Sequence, residues 1–182
     1  MNSPSTLKSI MSFKLALTEN SNEIALLVNS AYRGESSKAG WTTEADFLGG
    51  QRCDSESIKE LILKKNSAIL IQVNEKSEII ACVHLEKKSD QTTYLGMLTI
   101  RPTLQNQGTG KTLLKEAEAY SKEYFQCSRI EMTVIHLRLE LIAWYERHGY
   151  KKTGVTRPFP MKNPKFGLPK QELHFIVLEK FL

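Results

Sequence analysis

Gly108, Gly110 and Lys111 cluster in the run Leu98-Thr99-Ile100-Arg101-Pro102-Thr103-Leu104-Gln105-Asn106-Gln107-Gly108-Thr109-Gly110-Lys111-Thr112. Residue types at this spacing bind anions. Pro102 stops whatever strand precedes it and biases Arg101 to extended geometry. The two glycines let backbone N–H groups turn outward with no Cβ in the way. If a helix begins here, its first N–H groups are unpaired, its N-terminus is partly positive, and a lysine stands beside it. The natural ligand of such a place is a phosphate or pyrophosphate. Two phosphate motifs fail on this stretch. Walker A matches at Gly110-Lys111-Thr112, but its first glycine falls on Gln105; the dinucleotide pattern G-x-G-x-x-G starts at Gly108 and fails at Leu113.

A third pattern fits throughout. Gln105-Asn106-Gln107-Gly108-Thr109-Gly110 resembles the Q/R-x-x-G-x-G/A loop of the GNAT superfamily of acetyl-CoA-dependent N-acetyltransferases. Further on, Trp144-Tyr145-Glu146-Arg147-His148-Gly149-Tyr150 is similar to that superfamily's aromatic-Tyr-x-x-x-Gly-aromatic signature. One helix and one strand separate the two motifs, as in the superfamily, and the resemblance covers roughly residues 68 to 156.

The resemblance implies a GNAT fold, α/β (α+β), with a mixed central sheet flanked by helices and two central parallel strands that splay apart. It implies acetyl-CoA as cosubstrate and direct attack by a primary amine of a small molecule in a ternary complex. A protein amine, or a sensor that binds acetyl-CoA without turnover, are the alternatives. By the same resemblance, the backbone of Leu98, Thr99 and Ile100 lines the acetyl-pantetheine arm, where one N–H polarises the carbonyl. Gln105, Asn106, Gln107, Gly108, Thr109, Gly110, Lys111 and Thr112 hold the pyrophosphate, and Tyr145 protonates the coenzyme A sulfur. A phenol near pKa ~10 is a reasonable proton source for a thiolate. Taken without the motif, Tyr145 reads as a core aromatic on an apolar helix face.

Two departures from the family pattern stand out. Leu95-Gly96-Met97 lies where many members carry an acidic general base, and Arg138 lies where an Asn is common. Arg138 is open to pairing with Glu140 or Glu131, or to a ligand. A replacement base could be a histidine, and His136, at the end of the strand facing the splay, is the substrate-side candidate; His84 and His174 lie on strands. The acceptor itself is expected at Arg33 to Glu44, a stretch without period that carries Trp41 and two carboxylates. Binding groups concentrate on such loops, and the resemblance implies that the segment linking the first two helices covers the acceptor side of the cofactor cleft. Trp41 is expected to wall the acceptor pocket, with Glu44 meeting the substrate ammonium or taking its proton. The plainer alternative makes Thr42 or Thr43 a helix cap, supported by Glu44 and stapled by Trp41.

The elements that must position these groups follow from periodicity. Thr93 to Ile100 alternates as a strand into the loop. Leu113, Leu114, Ala117, Tyr120 and Tyr124 recur as a helix out of it. Arg129 to Ile135 is a strand; Leu137 to His148 is a helix that stops at Gly149. Upstream, a strand starts at Phe13. Ile24, Leu27, Val28 and Ala31 give a helix to Tyr32, and Asp54 or Ser55 caps a helix with Ile58, Leu61 and Ile62. Strands at Ala68 to Val73 and Glu78 to Glu86 form a hairpin. After Tyr150 come a short strand near Gly154 to Thr156, a proline-rich loop from Arg157 to Lys170, and a last strand from Glu172 to Glu179. The order β-α-α-β-β-β-α-β-α-β-β suits a mixed sheet packed by helices. Residues 1–12 read as a flexible lead, with Met11 a second candidate start, and 13–182 as a single domain.

Composition agrees. A chain of 182 residues, 41% hydrophobic and 25% charged, can bury a core unaided. Its net charge of +5 is dispersed among 20 acidic residues, which suits a polyphosphate cosubstrate and not a nucleic acid. Apolar runs such as Ala68 to Ile71 are too short to span a membrane. Cys53, Cys82 and Cys127 are spaced for neither a metal nor a disulfide framework, so no metal is expected and the location reads as cytoplasmic. A homodimer is left open.

Overall fold

The protein is described here from a computed structural model of residues 13–161 and 167–182. The lead at 1–12, and 162–166 of the proline-rich loop, lie outside the described residues. In chain order the elements are β1 (Phe13–Leu15), α1 (Ser21–Tyr32), α2 (Gly34–Ser37), β2 (Leu48–Gly49), α3 (Ser55–Leu63), β3 (Ser67–Val73), β4 (Ile79–Lys87), β5 (Thr92–Ile100), α4 (Thr109–Glu123), β6 (Arg129–Ile135), α5 (Leu139–Arg147), β7 (Lys151–Pro158), β8 (Leu168–Pro169) and β9 (His174–Phe181).

Seven strands form a mixed sheet in the order β1-β3-β4-β5-β6-β9-β7. Among the described residues only β5 and β6 pair in parallel. Their ladder covers Thr92–Tyr94 against Arg129–Glu131 and then stops, although β5 runs on to Ile100 and β6 to Ile135. From Leu95 onward, then, the β6-facing edge of β5 has no strand partner. A bulge sharpens the divergence. Met97 sits at φ +54°, and the β4–β5 register shifts between Cys82 and His84. A left-handed methionine is an uncommon conformation, and bulged strands bend. The Thr99 hydroxyl spans the bulge, donating to the Met97 carbonyl at 3.0 Å.

Helices cover both faces of the sheet. On one, α4 sinks Leu113, Leu114 and Ala117 against Val83, Leu85, Leu95 and Ile130. On the other, α1 and α3 bring Ile24, Val28 and Ile58 over Ile69, Ile71 and Cys82. Both faces of β4 are therefore buried, which explains its near-continuous apolar run. The predicted cap of α3 is present: Asp54 Oδ1 accepts from the Ser57 N–H at 2.7 Å, and Ser57 Oγ accepts from the Asp54 N–H at 3.1 Å. Gly149 ends α5 at φ +92°, as its position required.

Three local features differ from expectation. The segment after α1 contains the single-turn α2, and β2 pairs with β8 as a two-residue ribbon. Neither is long enough to leave a period in the sequence. The strand expected near Gly154 runs over Lys151–Pro158 with most side chains exposed, so its alternation is masked. The cysteines are free thiols. Cys82 and Cys127 are buried. Burial pushes the Cys82 thiol up to about 12 and the Cys53 thiol up to about 11, which leaves both unreactive.

Candidate active site

Where β5 and β6 part, two cavities open, and Tyr32, Leu98, Arg138 and Leu141 line both. The first, of about 120 Å³, is bounded by Asn106, Gly108, Gly110 and Lys111 on one side and by Trp41, Ile100 and Trp144 on the other. The second, of about 190 Å³, is bounded by Tyr145, Glu44, Arg52, Tyr94, Gly96 and Thr133 among others.

The loop before α4 is shaped for an anion. Asn106 and Gly108 both hold positive φ, +64° and +84°, which turns the chain sharply into α4. The position where a Gly108 Cβ would stand has no atom within 4 Å, so glycine serves the backbone there and leaves open space outside it. The first N–H groups of α4 have no intrahelical acceptor. Lys111 is exposed beside them, and Thr112 Oγ1 donates to the Gly108 carbonyl at 3.3 Å. Open space, unpaired donors, a helix dipole and an adjacent lysine fit a pyrophosphate. Gln105 is different. Its Oε1 accepts from the Trp41 N–H at 2.9 Å, and its Nε2 donates to Thr42 Oγ1 at 2.8 Å and to the Ile100 carbonyl at 3.2 Å. Its side chain is thus spent on strapping the 40–42 segment to the end of β5, and its N–H donates to the Pro102 carbonyl at 3.4 Å, so Gln105 shapes the loop more than it binds.

Tyr145 lies on the buried face of α5, edge-on to Trp144 and Tyr150 at 5.0 and 5.6 Å between ring centroids. Burial holds its phenol well above the ordinary value; Tyr32 pushes the same way and Arg138 opposes. It is therefore a neutral proton donor at any working pH.

The acceptor-side expectations need correction. Glu44 is 3% exposed, and both its oxygens are taken: Arg33 Nη1 donates to Oε2, and Arg138 Nη1 donates to Oε1 at 2.9 Å. Desolvation alone would raise its pKa, but Arg52, Arg138 and Arg33 together hold it below the usual carboxylate range. A carboxylate so held is a poor proton acceptor and offers no free oxygen to an ammonium. Arg138 pairs with Glu44 and donates to the Thr42 carbonyl at 2.7 Å, not with Glu140 or Glu131. Trp41 packs toward Trp144 at 6.4 Å and walls the smaller cavity beside the anion loop, not the larger one. His136 stacks on His174 at 3.8 Å and lines neither cavity. The capping alternative is not realised either: no helix follows directly on Thr43, whose Oγ1 accepts from the Ala45 N–H at 3.1 Å across a turn.

Tyr32, Arg33 and Arg52 escaped the sequence reading. The Tyr32 hydroxyl donates to the Leu98 carbonyl at 2.5 Å, on the unpaired edge of β5. The guanidiniums of Arg52 and Arg138 lie over its ring at 5.0 and 5.5 Å. Tyr32 merely ends an apolar helix face, and the arginines sit in a segment without period; only the clustering of Arg33, Glu44 and Arg52 around one loop hinted at pairing. Among the described residues, no group of three or more His, Cys, Asp or Glu is placed to hold a metal, and no helix is long and apolar enough to cross a membrane.

The family model of the acetyltransferase (GNAT) family matches residues 38–150, more than half of the chain, and the chain belongs to that family. A curated relative, the uncharacterised protein YdhI of Bacillus subtilis (strain 168), is 28% identical over 83 residues, 46% of this chain and 49% of its own. The match spans about half the length of that relative. Among solved structures, an N-acetyltransferase from Staphylococcus aureus Mu50 aligns at TM-score 0.69 with 12% identity over 95% of this chain and 98% of its own. A mutant of the spermidine N-acetyltransferase SpeG from Vibrio cholerae aligns at 0.66 with 14% identity over 94% and 95%. An acetyl-CoA-bound GNAT acetyltransferase from Elizabethkingia anophelis aligns at 0.56 with 19% identity over 70% and 82%.

Proposed function

We propose that residues 13–182 form one cytoplasmic N-acetyltransferase domain that moves an acetyl group from acetyl-CoA to the primary amine of a small molecule. One observation carries this reading: the two cavities meet at Leu98 and Tyr32, the first ending on the anion loop and the second holding Tyr145. A donor subsite and an acceptor subsite that share a wall can hold both substrates for direct attack.

Within the anion loop from Gln105 to Thr112, the backbone N–H groups that start α4, together with Lys111, would hold the pyrophosphate. The unpartnered edge of β5 between Leu98 and Ile100 would take the pantetheine arm. Acetyl-CoA supplies an acetyl group activated as a thioester. A backbone N–H of that edge would polarise its carbonyl, a preorganised donor contributing on the order of 3 kcal/mol. The amine enters neutral and forms the C–N bond. As the C–S bond breaks, Tyr145 passes its phenolic proton to the sulfur, giving the free thiol. The resulting phenolate, a strong base in this buried place, recovers a proton from the acetylated nitrogen through solvent. The proton account closes without a carboxylate base, which is consistent with Gly96 and Met97 standing where one is common. Glu44 acts as a positioning residue that fixes Arg33 and Arg138.

The test is coenzyme A release against a panel of small amines, run beside acetyl-CoA-induced stabilisation. Binding together with turnover of at least one amine is expected. Binding with no turnover of any amine, small or peptidic, would make the protein an acetyl-CoA sensor.

A further inference from the structure

The larger cavity is electrostatically unbalanced. Arg52 and Arg138 line it, Arg33 pairs with Glu44, and Glu44 is the one carboxylate among its lining residues. Arg33 and Arg138 spend their charge on the two oxygens of Glu44. Arg52 does not. Among the described residues its guanidinium has no hydrogen-bonded acceptor, its Nε is buried without a partner, and Tyr32's ring face is its support at 5.0 Å. Its backbone, by contrast, is firmly held: Asn29 Oδ1, on α1, accepts from the Arg52 N–H at 2.7 Å. A half-buried guanidinium with a buried, unpaired Nε gains from a ligand that brings it an acceptor. A planar carboxylate matches its donor fork bidentately.

We infer that Arg52, backed by the spare donors of Arg138, receives a carboxylate of the acceptor, so that the amine acetylated is one that also carries an acid, an amino acid or a molecule of that kind. The inference rests on the acetyltransferase reading and narrows its substrate class. The same charge excess disfavours a polyamine, whose second ammonium would face two guanidiniums in a place with no free carboxylate. It also explains why Glu44 is clamped. It holds two arginines in place and leaves the third for the substrate. A cavity of about 190 Å³ has room for a molecule of amino-acid size.

The experiment compares each acid with its decarboxylated twin: phenylalanine with phenethylamine, lysine with cadaverine, serine with ethanolamine. Initial rates of coenzyme A release are measured for the native protein, Arg52→Gln and Arg52→Lys. In at least one pair the acid is expected to be preferred by roughly tenfold to a hundredfold in kcat/KM, the range of a charge-assisted hydrogen bond. Arg52→Gln should erase that preference mainly through KM, and Arg52→Lys should restore part of it. Turnover of the decarboxylated twins equal to or better than that of the acids overturns the inference and leaves the transferase intact. So does a preference that Arg52→Gln, with native melting temperature, does not change. If no amine turns over at all, the transferase reading falls, and calorimetric titration of the coenzyme A-bound native protein decides the present point. Tighter binding of phenylalanine than of phenethylamine supports a carboxylate site; equal or absent binding refutes it.

Discussion

The anion loop and the arginine-lined cavity share a wall, yet they are built on different principles. The loop is a backbone device. Gly108 and Asn106 set its dihedrals, α4 supplies its donors, and side chains other than Lys111 add little. The cavity is a side-chain device, assembled from Tyr32 at the end of α1, Glu44 (held by Arg33) and Arg52 in the next segment, and Arg138 before α5. A backbone site occupies consecutive residues, binds what every member of the family binds, and leaves a motif. A side-chain site draws single residues from distant segments, so it can be refitted to a new acceptor without disturbing the fold.

Mutation can break this contrast from either side. The largest effect is expected inside the larger cavity, where Tyr145→Phe should lower kcat by about 10²–10⁴-fold with acetyl-CoA affinity unchanged. An undiminished kcat, with chemistry rate-limiting, would take Tyr145 out of the proton path. Next comes Glu44→Ala, which strands Arg33 and Arg138 in a buried site and should cost about 3–5 kcal/mol in denaturant unfolding. A loss below 1 kcal/mol would show that the arginines are compensated otherwise.

Acid should separate the halves by a third route. Burial lowers His84 to about 4 from the ordinary 6.5 and keeps it neutral, with Nε2 3.0 Å from Ser67 Oγ. The unfolded chain takes a proton near pH 6.5 and the fold refuses it until about 4. Stability from this group is therefore complete above pH 6.5 and lost progressively down to pH 4, by up to about 3 kcal/mol. Glu44, its pKa lowered from 4.5, contributes stability that is complete above pH 4.5 and lost only as pH falls further. Unfolding scans should show the sheet around β4 weakening before the arginine cluster lets go, and His84→Gln should flatten the upper limb.

Smaller effects probe the loop. Gly108→Val imposes a branched side chain at φ +84° with no clash, so about 1–3 kcal/mol of backbone strain should appear as weakened acetyl-CoA binding and a shrunken thermal shift. An unchanged shift would place the pyrophosphate elsewhere. The smallest effect is expected for Gln105→Ala. Losing its bonds to Trp41, Thr42 and Ile100 should raise the amine KM severalfold with little change in acetyl-CoA affinity.

The same contrast explains what the sequence revealed. The strand at Thr92–Ile100, the helices at Ser21–Tyr32 and Thr109–Glu123, and the stop at Gly149 follow from periodicity and glycine chemistry. These are local causes, visible in a window of residues. The bulge at Met97 left no mark, because nothing in a methionine announces φ +54°. Glu44 was singled out for its charge, but its partners lie 11 and 94 residues away, and only the fold brings both arginines onto one carboxylate. Trp41 reads from the sequence as an acceptor-side residue because its loop links the first two helices of the resembled fold. Its backbone bond to Gln105 turns it toward the anion loop instead.

Gln105 also bears on how the acceptor end could be rebuilt. Its carboxamide joins the 40–42 segment to β5, while Arg138 joins Thr42 and Glu44 to the entry of α5. A Cβ at Gly40 would fall 2.6 Å from Gln105 Oε1, so even the smallest side chain there presses on the strap. The loop between α1 and α3 is therefore no cassette. Grafting a relative's loop onto this scaffold would have to bring matching residues at positions 105 and 138, or the transplanted segment would arrive without its moorings.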